Sequence, residues 1–249
     1  MKKRTGIIIQ IICLAVVVFC GIYLGKYFYE NKKAQNDITE LREAVESGAD
    51  KSEEERTPNG MLASYSDLYS QNNEFTGWLK IPDTKIDYPV MLADNNEEYL
   101  HKNFEKKYQS SGLPFMDYQC NPDKPSDNII IYAHNMKDGS MFASLLKYDS
   151  EDFYKAHPTI SFDTLYKRGT YEIMYAFRSK VGAKNEFRYY DFINFGSEEE
   201  FDGFIESANK LSYYNTGKTA EYGDKLLTLS TCSYNSKDER FVIIAKKIK

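Results

Sequence analysis

The sequence predicts a mainly β domain of eight short strands, a closed barrel or a sandwich with peripheral helices, behind one N-terminal transmembrane helix. Three observations carry this reading. Residues 6–25, GIIIQIICLAVVVFCGIYLG, form a run of 20 whose only clearly polar side chain is Gln10. From Gly77 onward, short β-branched and aromatic runs alternate with Gly, Pro, Asn and Asp. The 21 Tyr and 15 Phe supply ample area for a core and argue against wholesale disorder.

The apolar run comes first. At 1.5 Å per residue it spans roughly 30 Å, the thickness of a bilayer's hydrocarbon core. Lys2, Lys3 and Arg4 precede it, which favours a cytoplasmic N-terminus (1–5) and an exported remainder. Lys26, Lys32 and Lys33 on the far side weigh against this, partly offset by Glu30. A cleaved signal peptide would have a shorter apolar region and a small-residue cleavage site. Here the run continues into Leu24-Gly25-Lys26-Tyr27, and bulky Phe19 stands before Cys20. The expectation is an uncleaved single-pass anchor at 6–25 in the cell membrane. Cys13 and Cys20 then lie in lipid as inert small hydrophobes.

Residues 26–58 read as a charged, helix-permissive stalk ending at Glu53-Glu54-Glu55 and Pro58, and 59–249 as the extracytoplasmic domain. A helix is expected around 60–71. Strands are expected at 78–81, 86–90, 112–116, 128–133, 159–162, 170–179, 225–231 and 240–248. Closure is the commoner way to remove exposed edges from such a set. Ser140 is placed to cap a helix at 141–148. Ser197 with Glu200 forms a capping box, followed at helical spacing by Phe201, Phe204, Ile205, Ala208 and Leu211. That helix lies within the long connection 180–224, and connections of this length are often functional.

Composition narrows the function classes. A net charge of −5 over 249 residues leaves no electrostatic footprint for nucleic acid. Three His and four Cys, without C-x-x-C or H-x-x-x-H, offer little from which to build a zinc site. Outside the anchor stand Cys120 and Cys232. Export invites a disulfide between them, but their contexts differ and a bond would consume the cysteine best placed for chemistry. Two free thiols are expected.

Three residues with chemical potential fall at strand ends. In KLLTLSTC (225–232), Leu227 and Leu229 share one face while Thr228, Ser230 and Cys232 share the other. With the leucines inward, the thiol and its small polar neighbours would be accessible. NIIIYAHNM places Ile130, Tyr132 and His134 on one face, and this strand too ends at its candidate. RFVIIAKKI opens at Arg240, so a short hairpin returns the guanidinium beside the cysteine strand.

A thiol of ordinary pKa is only about 3% thiolate at pH 7. A neighbouring imidazole or guanidinium raises that fraction and makes the sulfur a strong nucleophile toward an acyl carbon. Histidine can protonate a departing amine, and arginine offers a fork of donors to an oxyanion. Each residue also has an ordinary reading: a small core cysteine, a structural histidine, a surface ion pair beside Asp238 and Glu239. His101, in a polar stretch, and His157, before Pro158, have weaker cases.

The strings TLSTC (228–232), Arg240 opening the next strand, and YAHNM (132–136) resemble the sortase family, membrane-anchored cysteine transpeptidases of Gram-positive surfaces. GWLKI (77–81), DYPV (87–90), EYLHKNF (98–104), PFMDY (114–118) and the capped helix at 197–211 resemble class B in order. Ala133-His134-Asn135 stands where class B members often carry Gly-His-His. The similarity runs from about residue 60 to the C-terminus.

The resemblance implies an eight-stranded sortase-type β-barrel and a defined chemistry. Cys232 would attack the Thr carbonyl of a C-terminal NPxTx-like sorting motif. Arg240 and the backbone N–H of Ser233 would steady the oxyanion, and His134 would serve as acid and base. Leu100, Ser230 and Thr231 are candidates for lining the substrate groove. No metal or organic cofactor is implied. Partners would be surface proteins or pilins bearing the motif, with a cell-wall or pilin amine as acceptor. Anchoring of single proteins, as the broader class B role, is preferred over pilin polymerisation. A non-catalytic binding barrel and a cysteine hydrolase stay open, and the aromatic stretch 185–195 reads equally as substrate surface or as core.

Overall fold

The computed structural model describes residues 2–49, 55–121, 126–183, 186–232 and 238–249; for Cys232 it describes the backbone. The chain divides into two compact units, Met1–Glu40 and Leu41–Lys249. The first is a stretch of helix α1 (Lys2–Ala49), which runs without a break through the apolar segment into the charged connector. Ile12, Leu14, Val17, Phe19 and Ile22 stand exposed along it. Among the described residues this helix is long and apolar enough to cross a membrane. Lipid satisfies such side chains, whereas water does not.

The second unit is an eight-stranded closed barrel with few helices. Its strands are β1 (Phe75–Lys80), β2 (Asp87–Met91), β3 (Phe115–Met116), β4 (Asn128–Ala133), β5 (Thr159–Thr164), β6 (Thr170–Lys180), β7 (Leu226–Cys232) and β8 (Glu239–Lys247). They are ordered β1-β2-β3-β4-β7-β8-β6-β5. Pairing of Gly77–Lys80 with Thr164–Ser161 closes the ring and removes its edges. At Gly77 a Cβ would sit 2.1 Å from the Asp163 carbonyl, so only glycine allows this approach. All eight expected strands are present.

Local physics accounts for the departures. The third strand is only two residues long because Gly112 adopts φ +55°, outside the extended region. The expected helix after Ser140 is a 3₁₀ helix over Phe142–Asp149, with Met141 in the capping position. Ser140 does not cap it: its hydroxyl donates to Asp138 at 2.6 Å in a local turn. Helices α2 (Ala63–Gln71) and α3 (Glu151–Ala156) are short, the latter ending at His157, whose Nδ1 donates to the Pro82 carbonyl at 3.0 Å.

Helix α4 (Glu198–Leu211) begins as its sequence dictates. Ser197 Oγ accepts from the Glu200 N–H at 3.2 Å, and three glutamates in the first turn suit the positive end of the helix dipole. The reciprocal half of the box differs, since the Glu200 carboxylate accepts from Gly196 N–H at 2.6 Å. Phe201, Phe204, Ile205 and Ala208 are buried, while Leu211 is exposed.

Packing of α4 and the preceding loop corrects one further expectation. Thr228 and Ser230 are as fully buried as Leu227 and Leu229, so neither face of β7 is open at these positions. Strand β7 is central, flanked by β4 and β8, and the connection from β6 folds back over the sheet. There Tyr189, Phe195, Phe201 and Phe204 form one core cluster with Met174, Leu226, Val242 and Ile244. The aromatic stretch therefore packs as core from Tyr189 to Phe195.

Candidate active site

Three strands bring the candidate residues to one end of the barrel. In the antiparallel β7–β8 ladder, Cys232 stands opposite Arg240. In the parallel β4–β7 ladder the last pair is Ala133 with Thr231, and His134 follows β4 as Cys232 follows Thr231. The cysteine thus ends, by register, the strand between the one that His134 follows and the one whose second residue is Arg240. Strand β4 can run here because Ile129, Ile130, Ile131 and Ala133 put buried apolar side chains on both faces, as a buried parallel strand requires.

A cleft of about 210 Å³ opens at this end. Of the predicted residues, His134, Arg240, Leu100, Ser230 and Thr231 line it, together with Asn96, Phe115, Tyr132 and Ala133. Ser233 lies outside the described residues, and Cys232 is placed by its backbone. The Ser230 hydroxyl meets Tyr189 OH at 2.7 Å, and Thr231 Oγ1 donates to the Ala133 carbonyl at 2.6 Å. Both hydroxyls are therefore engaged in shaping the wall.

His134 is half-buried, and its Nε2 lies 2.9 Å from the Leu100 carbonyl. A carbonyl only accepts, so Nε2 carries the proton and Nδ1 the lone pair in the neutral ring. Burial holds its pKa below the ordinary value; the Leu100 bond opposes this, and the nearby His101 adds to it. The backbone is fixed as well, by the Phe142 N–H donating to the His134 carbonyl at 2.9 Å.

Arg240 donates to the Glu239 carbonyl at 3.3 Å. The Glu239 carboxylate itself pairs with Arg178 at 3.0 Å. Among the described residues no carboxylate forms an ion pair with Arg240. Cys120 is a free, buried thiol, as expected.

The sortase domain family model matches residues 79–248. Sortase B of Listeria monocytogenes is 32% identical over 251 residues, covering 100% of this chain and 98% of that protein. The chain belongs to the sortase family, class B. Two solved structures are similar throughout. Sortase B from B. anthracis in complex with AAEK1 has a TM-score of 0.77 at 31% identity, covering 89% of this chain and 99% of its own. A Staphylococcus aureus sortase B–substrate complex has a TM-score of 0.80 at 26% identity, covering 88% and 98%. Sortases are transpeptidases of the cell surface, and this class B sortase shares their barrel.

Several residues of this sortase's cleft escape sequence reasoning. Buried Asp117 accepts from Tyr132 OH at 3.0 Å and from Asn96 Nδ2 at 2.9 Å, tying two lining side chains together. Tyr132 was legible from alternation, since it shares a strand face with His134. Asn96 and Asp117 carry no local signal, because only the fold brings 96 and 117 to β4. Tyr189, lodged against Ser230, comes from the connection between β6 and β7.

Proposed function

We propose that this sortase joins proteins bearing a C-terminal NPxTx-like motif to a cell-wall amine through a thioester on Cys232. The register that sets Cys232 across from Arg240, one residue past the Ala133–Thr231 pair beside which His134 follows β4, carries the reading. Neutral His134 accepts the thiol proton as sulfur attacks the Thr carbonyl. Arg240 and the Ser233 N–H stabilise the oxyanion. The imidazolium then protonates the leaving amine as the peptide bond breaks. In the second half, the incoming amine attacks the thioester and gives its proton to His134. Sulfur departs and regains a proton, so the cycle balances without a metal or cofactor.

Leu100, Ser230 and Thr231 form part of the groove wall for the motif, in keeping with their place in the cleft. The existence of a substrate complex of Staphylococcus aureus sortase B supports a groove of this kind. Residues 1–5 are cytoplasmic, 6–25 span the membrane, 26–58 serve as stalk, and 59–249 work outside the cell.

The test uses the full-length chain in detergent micelles with NPxTx and LPxTG peptides, with and without amine acceptors of cell-wall and pilin-lysine type. Mass spectrometry follows the products and Cys232. A thioester on Cys232 and an amine-joined product are expected. Hydrolysed product alone, whatever amine is present, would make the protein a hydrolase. No acylation, with Cys232 still open to a thiol reagent, would make it a binding barrel.

A further inference from the structure

His101, three residues into the polar stretch that begins at Glu98, lies against the acid–base residue. Its ring stacks on that of His134, with centroids 5.5 Å apart and planes at 26°. The preceding residue, Leu100, supplies the carbonyl that accepts from His134 Nε2 at 2.9 Å. One turn therefore meets the same imidazole twice, at its edge and on its face.

The turn is itself braced. His101 Nδ1 lies 3.3 Å from the Ser110 carbonyl, and its own carbonyl accepts from Gln109 N–H at 2.9 Å. The Tyr108 ring stands 6.0 Å from it. The Leu113 N–H donates to Tyr99 O at 3.1 Å, beside Gly112, where a Cβ would fall 2.2 Å from that same carbonyl.

Resting on the reading of His134 as the acid–base group, we infer that His101 is a positioning residue, holding the His134 ring by its face while Leu100 holds its edge. A second consequence is electrostatic. The second imidazole opposes a proton on the His134 ring. Among the described residues, Asn96, Tyr132, Ser230, Thr231 and Arg240 of β8 line the same cleft as the ring, Tyr132 and Arg240 being the titratable or charged ones. Lys102, next to His101, is paired with Glu98.

The test compares the full-length chain in micelles with His101→Ala and His101→Phe. The chain has three histidines, so ring-labelled NMR signals are assigned by substitution. His101→Ala is expected to lower kcat for acyl transfer about tenfold with little change in KM, the pattern of a misplaced catalytic group. His101→Phe, which keeps a stacked ring, should recover most of that loss. In His101→Ala, which removes both the cover over the ring and the second imidazole, the His134 ring should titrate at higher pH. An unchanged His134 titration, with kcat equal in the two variants, would overturn the inference. Should the wild type join no peptide to an amine, the transpeptidase reading falls, while the ring titration still decides the stack.

Discussion

Tyr189 and Ser230 share a 2.7 Å hydrogen bond although 41 residues separate them. It ties the connection between β6 and β7 to the cysteine strand two positions before Cys232. Both residues are buried, and burial first of all pushes the Tyr189 phenol up to about 12, so it stays protonated. Tyr189→Phe would strand the Ser230 hydroxyl in the core. A loss of about 1–3 kcal/mol is expected in urea unfolding. Combining it with Ser230→Ala should lose less than the sum, since both changes delete the same bond.

Arg240→Lys keeps a positive charge opposite Cys232 but removes the guanidinium fork. Acylation by a sorting peptide should fall on the order of 10²-fold or more in kcat/KM. Near-full activity in this variant would show that Arg240 does not hold the oxyanion. Cys232→Ala and His134→Ala should be severe, the former without residual thioester.

Burial sets the sign of one pH effect. His134 has its folded pKa below the ordinary 6.5, so the unfolded chain binds this proton more readily. Its contribution to stability is complete above about 6.5 and is lost as the pH falls through the folded value. Urea midpoints measured from pH 8 down to pH 5 should therefore fall less steeply for His134→Gln than for the wild type.

Gly112→Ala should damage stability and activity together. Glycine there has φ +55°, and an added Cβ would meet the Tyr99 and Leu100 carbonyls at 2.2 and 2.5 Å. Relief requires moving the Leu100 carbonyl, which is the acceptor for His134. A destabilisation of about 2–4 kcal/mol in urea unfolding is expected. A near-wild-type kcat in the residual folded protein would disconnect that carbonyl from the chemistry.

Cys120 serves as an internal reference for thiol chemistry. Desolvation pushes its thiol up to about 12, and its Sγ contacts the Asn128 carbonyl at 3.7 Å. Alkylation by iodoacetamide at pH 8 should leave it unlabelled until the domain is unfolded, because the thiolate is the reactive form. Early labelling of Cys120 in the native protein, read by peptide mass spectrometry, would show that the region opens locally.

Periodicity and punctuation were enough to recover the apolar helix, eight strands and the capped start of α4, because these depend on residues close in sequence. The strand-end positions of His134 and Arg240, and the hairpin that returns Arg240 beside Cys232, were legible for the same reason. Tertiary structure alone decided the strand order, since pairing β4 with β7 joins segments almost a hundred residues apart. It also decided burial on β7: Thr228 and Ser230 looked like an exposed polar face, and the returning connection covers them. Asp117 reaching Asn96 and Tyr132, Tyr189 reaching Ser230, and His101 reaching His134 arise in the same way. Side-chain alternation is a local property of extended backbone, whereas each of these contacts depends on how the barrel closes.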